Sequence, residues 1–109
     1  MPPRKDVPKG TLELLILRIL SGQSMHGWGI MQRLRDLTDE VFQVTPGALF
    51  PALQRIEESG WVKGTWGVSE NNRKAKYYAL TASGRRRLTE EEESWNTIAL
   101  AVARVLENA

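Results

Sequence analysis

The sequence predicts a mainly α chain with one small β-hairpin, an α+β class, on three observations. Three segments of helical character come first, beginning with a Leu-rich stretch over residues 12–20. Two β-prone segments then flank a polar tip, and apolar residues at heptad-like intervals fill the last quarter of the chain. At 109 residues and 41% hydrophobic content, the chain suits one compact domain with a core of its own.

Residues 1–10, with three prolines and mixed charges, read as a flexible basic arm ending at Gly10. Thr11 is placed to cap the first helix, whose apolar residues (Leu12, Leu14, Leu15, Ile16, Leu17, Ile19, Leu20) are too dense for one exposed face. That density predicts a buried central helix ended by Ser21-Gly22. A second helix is expected over residues 25–37, capped by Ser24, with Trp28, Met31, Leu34 and Leu37 on one face at spacings of three. Residues 41–44 read as a short extended piece. Thr45-Pro46 then signals a helix start, a hydroxyl cap followed by proline at the first helical position. This third helix should span residues 46–59, carry Leu49, Leu53 and Ile56 inward, tolerate Pro51 in an early turn and stop at Gly60.

Residues 61–66 and 74–80 favour strands, and the Gly67–Arg73 stretch between them reads as the long tip of a hairpin. Thr81 caps a last helix over residues 82–106, on the order of 37 Å long at 1.5 Å per residue. Leu88, Trp95, Ile98, Val102 and Val105 form its stripe, and a small three-helix core cannot cover all of it. A second copy of the chain is the economical partner, so these five residues are the expected dimerisation surface. Three helices followed by a hairpin with a basic tip is the layout of a winged helix-turn-helix. The division expected is an arm (1–10), a winged-helix domain (11–81) and a dimerisation helix (82–109).

Charge sharpens this reading. The formal net charge is +2, yet residues 1–87 carry 14 basic and 8 acidic side chains while residues 88–109 carry one basic and five acidic. Residues 73–87 hold Arg73, Lys74, Lys76, Arg85, Arg86 and Arg87 with no acidic residue among them. Such a run suits phosphate, although solvated basic faces have the same composition. The outer face expected for the third helix, Thr45, Gly47, Ala48, Phe50, Gln54 and Arg55, starts small and uncharged, which allows close approach to a duplex. Gln54 and Arg55 have base-reading capacity, toward adenine and guanine respectively. Wing contacts to phosphate are expected from Arg73, Lys74 and Lys76, with Lys5 and Lys9 adding from the arm. The chain has no cysteine and one histidine, which excludes a disulfide framework, a thiolate nucleophile and Cys-based or multi-His metal sites. The acidic run Glu90–Glu93 has no matching nucleophile, so neither an enzyme nor a cofactor is expected. No apolar run approaches membrane-span length and no signal peptide is evident, which leads us to expect a cytoplasmic location.

Four segments, in order, resemble the PadR family of transcriptional regulators. They are His26-Gly27-Trp28-Gly29-Ile30, the run from Gly47 to Glu57 (GALFPALQRIE), Gly60-Trp61-Val62, and the run from Arg73 to Gly84 (RKAKYYALTASG). The likeness extends from about Gly10 to Leu106 and is greatest to the short subfamily with one C-terminal dimerisation helix. It implies a homodimeric DNA-binding protein, most simply a repressor on a palindromic operator of double-stranded DNA. Some members hold planar aromatic compounds between paired tryptophans of the last helix, so the resemblance implies Trp95 as a contact for such an effector. Trp28 and Phe50 depart from the family's usual tyrosines, and a phenylalanine cannot give a hydroxyl to phosphate. The resemblance places His26 in the packing of the second helix. An alternative use of the same fold is as a protein-binding adaptor with an incidental basic surface.

Overall fold

The computed structural model describes residues 4–8 and 10–109. In chain order the elements are α1 (Leu12–Leu20), β1 (Met25–His26), α2 (Gly27–Leu37), α3 (Pro46–Glu58), β2 (Val62–Val68), β3 (Lys74–Leu80) and α4 (Ala82–Asn108). The strands form one antiparallel sheet in the order β1-β3-β2. This is the expected α+β class, and the arrangement is a winged helix.

Helix α1 lies at the centre, touching α2, α3, β3 and α4. Its Leu14, Ile16, Leu17 and Leu20 are buried, which explains its unusual apolar density. Thr11 sits at the cap position, but its hydroxyl donates back to the Pro8 carbonyl and leaves the helix amides uncapped. Around α1 pack Ile30, Leu49, Ala52, Leu53, Ile56, Val62, Tyr78 and Leu88.

Two local expectations about α2 differ from the structure. The chain enters α2 through a two-residue strand, so the cap is His26 and not Ser24. The His26 Nδ1 accepts from the Gly29 amide at 3.0 Å. The buried face of α2 is Gly27, Ile30 and Leu34, while Trp28 and Leu37 are exposed. A spacing of three lags the helix by about 60° per step, so Trp28, Met31, Leu34 and Leu37 cannot share one face. Residues 41–44 do not join the sheet; Phe42 makes only an isolated bridge with Lys5, whose amide donates to the Val41 carbonyl at 2.8 Å. The third strand of the sheet is β1, paired with β3.

The hairpin is longer and its tip tighter than expected. Strand β2 runs through Gly67 to Val68, paired with Ala75 and Lys74. Ring atoms of Tyr77 pass at van der Waals distance from where a Gly67 side chain would begin. The tip closes through Ser69 N–H donating to the Arg73 carbonyl at 2.8 Å, with Asn72 in the left-handed region.

The start of α4 is fixed by several contacts. The Thr81 hydroxyl accepts from the Gly84 amide at 3.0 Å and donates to the Gly60 carbonyl at 2.7 Å. A Cβ on Gly84 would fall 2.0 Å from the Trp61 carbonyl oxygen, so only glycine lets α4 lie this close to the chain entering β2. Leu88, expected in the dimerisation stripe, is instead buried in the chain's own core. Its side chain lies within the first two turns of α4, which are still covered by the domain. From Glu93 to the end of the helix nearly every residue is exposed.

Gly84→Ala should therefore destabilise the fold by roughly 1–3 kcal/mol or more through overpacking against backbone. Urea unfolding measures it, and a midpoint equal to wild type would contradict the close approach.

Candidate nucleic-acid interface

The rotation of α3 is set by its buried face. Leu49, Ala52, Leu53 and Ile56 are completely buried, which turns Gly47, Pro51, Gln54 and Glu58 directly outward. Thr45 caps the helix, accepting from the Ala48 amide at 3.3 Å. Pro51 cannot donate to the Gly47 carbonyl, and both residues are exposed, so that carbonyl is left to solvent at small cost.

The six expected contact residues of α3 fall into two groups. Gly47, Ala48 and Gln54 lie exposed, and Gln54 Nε2 donates to Glu58 Oε1 at 3.1 Å. Phe50, Arg55 and Thr45 are partly engaged by the protein. The Phe50 ring lies over Gly27 of α2, where a Cβ would come within 2.6 Å of Phe50 Cε1. Glycine at 27 is thus what lets α2 and α3 cross so closely. Arg55 Nε donates to Glu13 of α1 at 2.8 Å, holding the guanidinium on one flank of the helix.

On the other flank stands the wing. Lys76, expected to meet phosphate, is turned toward α3, with Nζ 2.8 Å from Glu57 Oε1 and over the Tyr78 ring. The hydrogen bond to Glu57 raises the Lys76 pKa above the ordinary lysine range. Gly64 makes room for this pair, since a Cβ there would run into the end of Lys76 and the Glu57 carboxylate. Lys76 therefore ties the wing to α3. Arg73 and Lys74 remain exposed near the tip, and neither forms a salt bridge among the described residues. The Lys74 ammonium lies 5.2 Å from the centre of the exposed Trp66 ring.

A second tie runs from the tip to α2. His26 Nε2 is 3.4 Å from Glu70, while Tyr77 meets the imidazole edge-on at 5.3 Å. The Glu70 pKa is lowered, first by a hydrogen bond from its own backbone amide and then by His26. His26 thus serves as cap and tether together, with Nδ1 as acceptor.

The arm passes the start of α3, where Asp6, Val7 and Pro8 share a cleft with Val44, Thr45 and Ala48. This brings Lys5 to that end of the molecule, while Lys9 lies outside the described residues. Arg87, counted in the basic run, is occupied by Glu90 and Glu91 and stacks on Trp61 at 4.7 Å. On α4, Trp95, Ile98, Val102 and Val105 are exposed, and Leu106 extends their stripe. Beside Trp95 an apolar groove of about 470 Å³ is lined by Leu14, Leu15, Arg18 and Phe42, among others. Among the described residues no group of His, Cys, Asp and Glu could hold a metal ion, and no helix is long and apolar enough to cross a membrane.

The family model described as the transcriptional regulator PadR-like family matches residues 16–90, from α1 into α4. A crystal structure of a PadR-like transcriptional regulator from Bacillus cereus is 30% identical, with TM-score 0.79 over 93% of this chain and 96% of that one. A transcriptional regulator of Mycobacterium tuberculosis is 28% identical over 90% of this chain and 88% of its own length. The transcriptional regulator YqjI of Escherichia coli is 31% identical over 77% of this chain, which spans only 39% of that longer protein.

The ammonium of Lys76 is stabilised by Glu57, so the pair's contribution is complete below the ordinary lysine pKa and is lost as pH rises through the raised value. The difference in thermal midpoint between wild type and Lys76→Met should hold through neutral pH and shrink only in strong alkali. A difference unchanged there would assign Lys76 a packing role alone.

Proposed function

Because the chain belongs to the PadR-like family of transcriptional regulators, we propose that it is a sequence-specific DNA-binding regulator acting as a homodimeric repressor on a palindromic operator. The observation that carries this reading is the outer face of α3. Its small residues, Gly47 and Ala48, lie open at the helix start, with Gln54 one to two turns on and the exposed Arg73 and Lys74 on the neighbouring wing.

In this reading α3 enters the major groove amino end first. Gly47 and Ala48 allow close approach, and the first-turn amides and helix dipole favour phosphate. The Thr45 hydroxyl remains bound to its own helix. Gln54 reads adenine, and Arg55 reads guanine with the guanidinium N–H groups that Glu13 leaves over. Phe50 offers an apolar edge to a sugar or thymine methyl. Arg73 and Lys74 contact phosphate from the wing, and Lys5 and Lys9 from the arm. Residues 11–81 are the DNA-binding unit and residues 82–109 the pairing helix, with Trp95, Ile98, Val102 and Val105 facing a second copy. The paired recognition helices then meet grooves about 34 Å apart. The groove beside Trp95 suits a small planar aromatic effector that releases the operator.

Fluorescence anisotropy with the DNA upstream of the protein's own gene, at several salt concentrations, tests the core of this. Replacing Arg73 and Lys74 with Ala removes four phosphate contacts per dimer, so it should weaken all duplexes alike and flatten the slope of log K against log salt by about 3.6. Gln54→Ala should change sequence preference with little change in slope. An unaltered slope in the double variant would remove the wing from the interface. Ile98→Glu should convert a sedimenting dimer to monomer; a dimer that persists would place the pairing surface elsewhere.

A further inference from the structure

Trp28 is two-thirds exposed on the second residue of α2. Its neighbour Gly27 is buried against Phe50, so the helix turns the indole outward at the junction of three elements. On one side the indole lines a cleft with Gln43, Val44 and Pro46 at the entry to α3. On the other it lines a cleft with Ser69, Asn71, Arg73 and Lys74 at the wing tip. Of the nearby acidic groups, Glu40 pairs with Arg35 at 2.7 Å, Glu70 faces His26, and Asp36 accepts from the uncharged Gln32 at 2.9 Å. Among the described residues, the cations around the indole that form no salt bridge are Arg73 and Lys74 at the wing tip and Arg33 in a further cleft along α2.

The geometry points to Trp28 as a DNA-backbone contact that bridges the recognition helix and the wing, its ring against a deoxyribose and its Nε1–H donated to a phosphate oxygen. This rests on the DNA-binding reading above. Indole supplies a large rigid apolar face together with one donor and no acceptor, a match for an anionic oxygen beside a sugar. The contact is uncharged, so it adds affinity for any sequence without releasing counterions of its own.

The test measures binding of wild type, Trp28→Phe and Trp28→Ala to the upstream duplex and to an unrelated duplex of equal length, at two salt concentrations. Trp28→Ala should lose about tenfold on both duplexes, as expected for about 1.4 kcal/mol. Trp28→Phe, which keeps a ring without the donor, should fall between it and wild type. The salt slope should stay at the wild-type value in both, unlike that of the Arg73 and Lys74 variant. Equal melting temperatures would show that these exposed substitutions leave the fold intact. Wild-type affinity in Trp28→Ala, or a loss confined to the upstream duplex, would overturn the backbone contact. A wild-type protein that binds neither duplex would sink the DNA-binding reading and this inference together.

Discussion

The complete burial of Leu49, Ala52, Leu53 and Ile56 is the constraint on which the rest of the molecule depends. Leu49, Leu53 and Ile56, each worth about 1.5–3 kcal/mol when held out of water, together with the smaller Ala52 leave α3 a single rotation about its axis. Everything presented on the opposite face follows from that rotation. Because α3 packs on α1, with β2 and α2 beside it, the Leu-rich helix at the centre helps decide which face of α3 is left exposed. The Phe50 ring over Gly27 then fixes how closely α2 crosses α3.

The wing is held to this frame by two polar ties, one from β3 and one from the tip. Lys76 to Glu57 links β3 with α3, and His26 to Glu70 links α2 with the tip. Neither pair is deeply buried, so each adds little to global stability. Their effect is geometric. They limit how far the hairpin can swing relative to α3, which keeps Arg73 and Lys74 beside the outward face. Using Lys76 internally lowers the charge available outside, and the exposed aromatic groups Trp28 and Trp66 stand where a purely electrostatic reading would look for more cations. The net charge divides along the chain in the same sense, with basic residues on the winged domain and the acidic run of α4 taken up partly by Arg87 and Arg18.

Much of the fold was legible in the sequence because its signals are local. The Thr45-Pro46 start of α3, the Gly60 stop, the Thr81 cap and the two strands were each marked by one or two residues whose chemistry has few alternatives. The features that escaped depend on contacts distant in sequence. Strand β1 has two residues, too few for any period, and exists because β3 offers it an edge. The assignment of Leu88 to the dimer stripe failed because an apolar helical position does not say which neighbour covers it. Lys76 lies on the same face of β3 as Lys74, so alternation cannot tell the two apart; what separates them is Glu57, a partner 19 positions away. Spacing alone groups Trp28 with Met31, Leu34 and Leu37; the burial of Gly27 against Phe50, and of Ile30 and Leu34, puts Trp28 on the open side of α2.

The absence of native cysteine permits a direct test of where the outward face of α3 sits on a duplex. A Gln54→Cys variant carrying an iron chelate that cleaves DNA by diffusible radicals would mark the groove nearest that position. With α3 in the major groove, the cuts should fall in two clusters about one helical turn apart, with the strand offset that identifies that groove. Cutting confined to the minor groove, or none on a duplex the variant demonstrably binds, would contradict it.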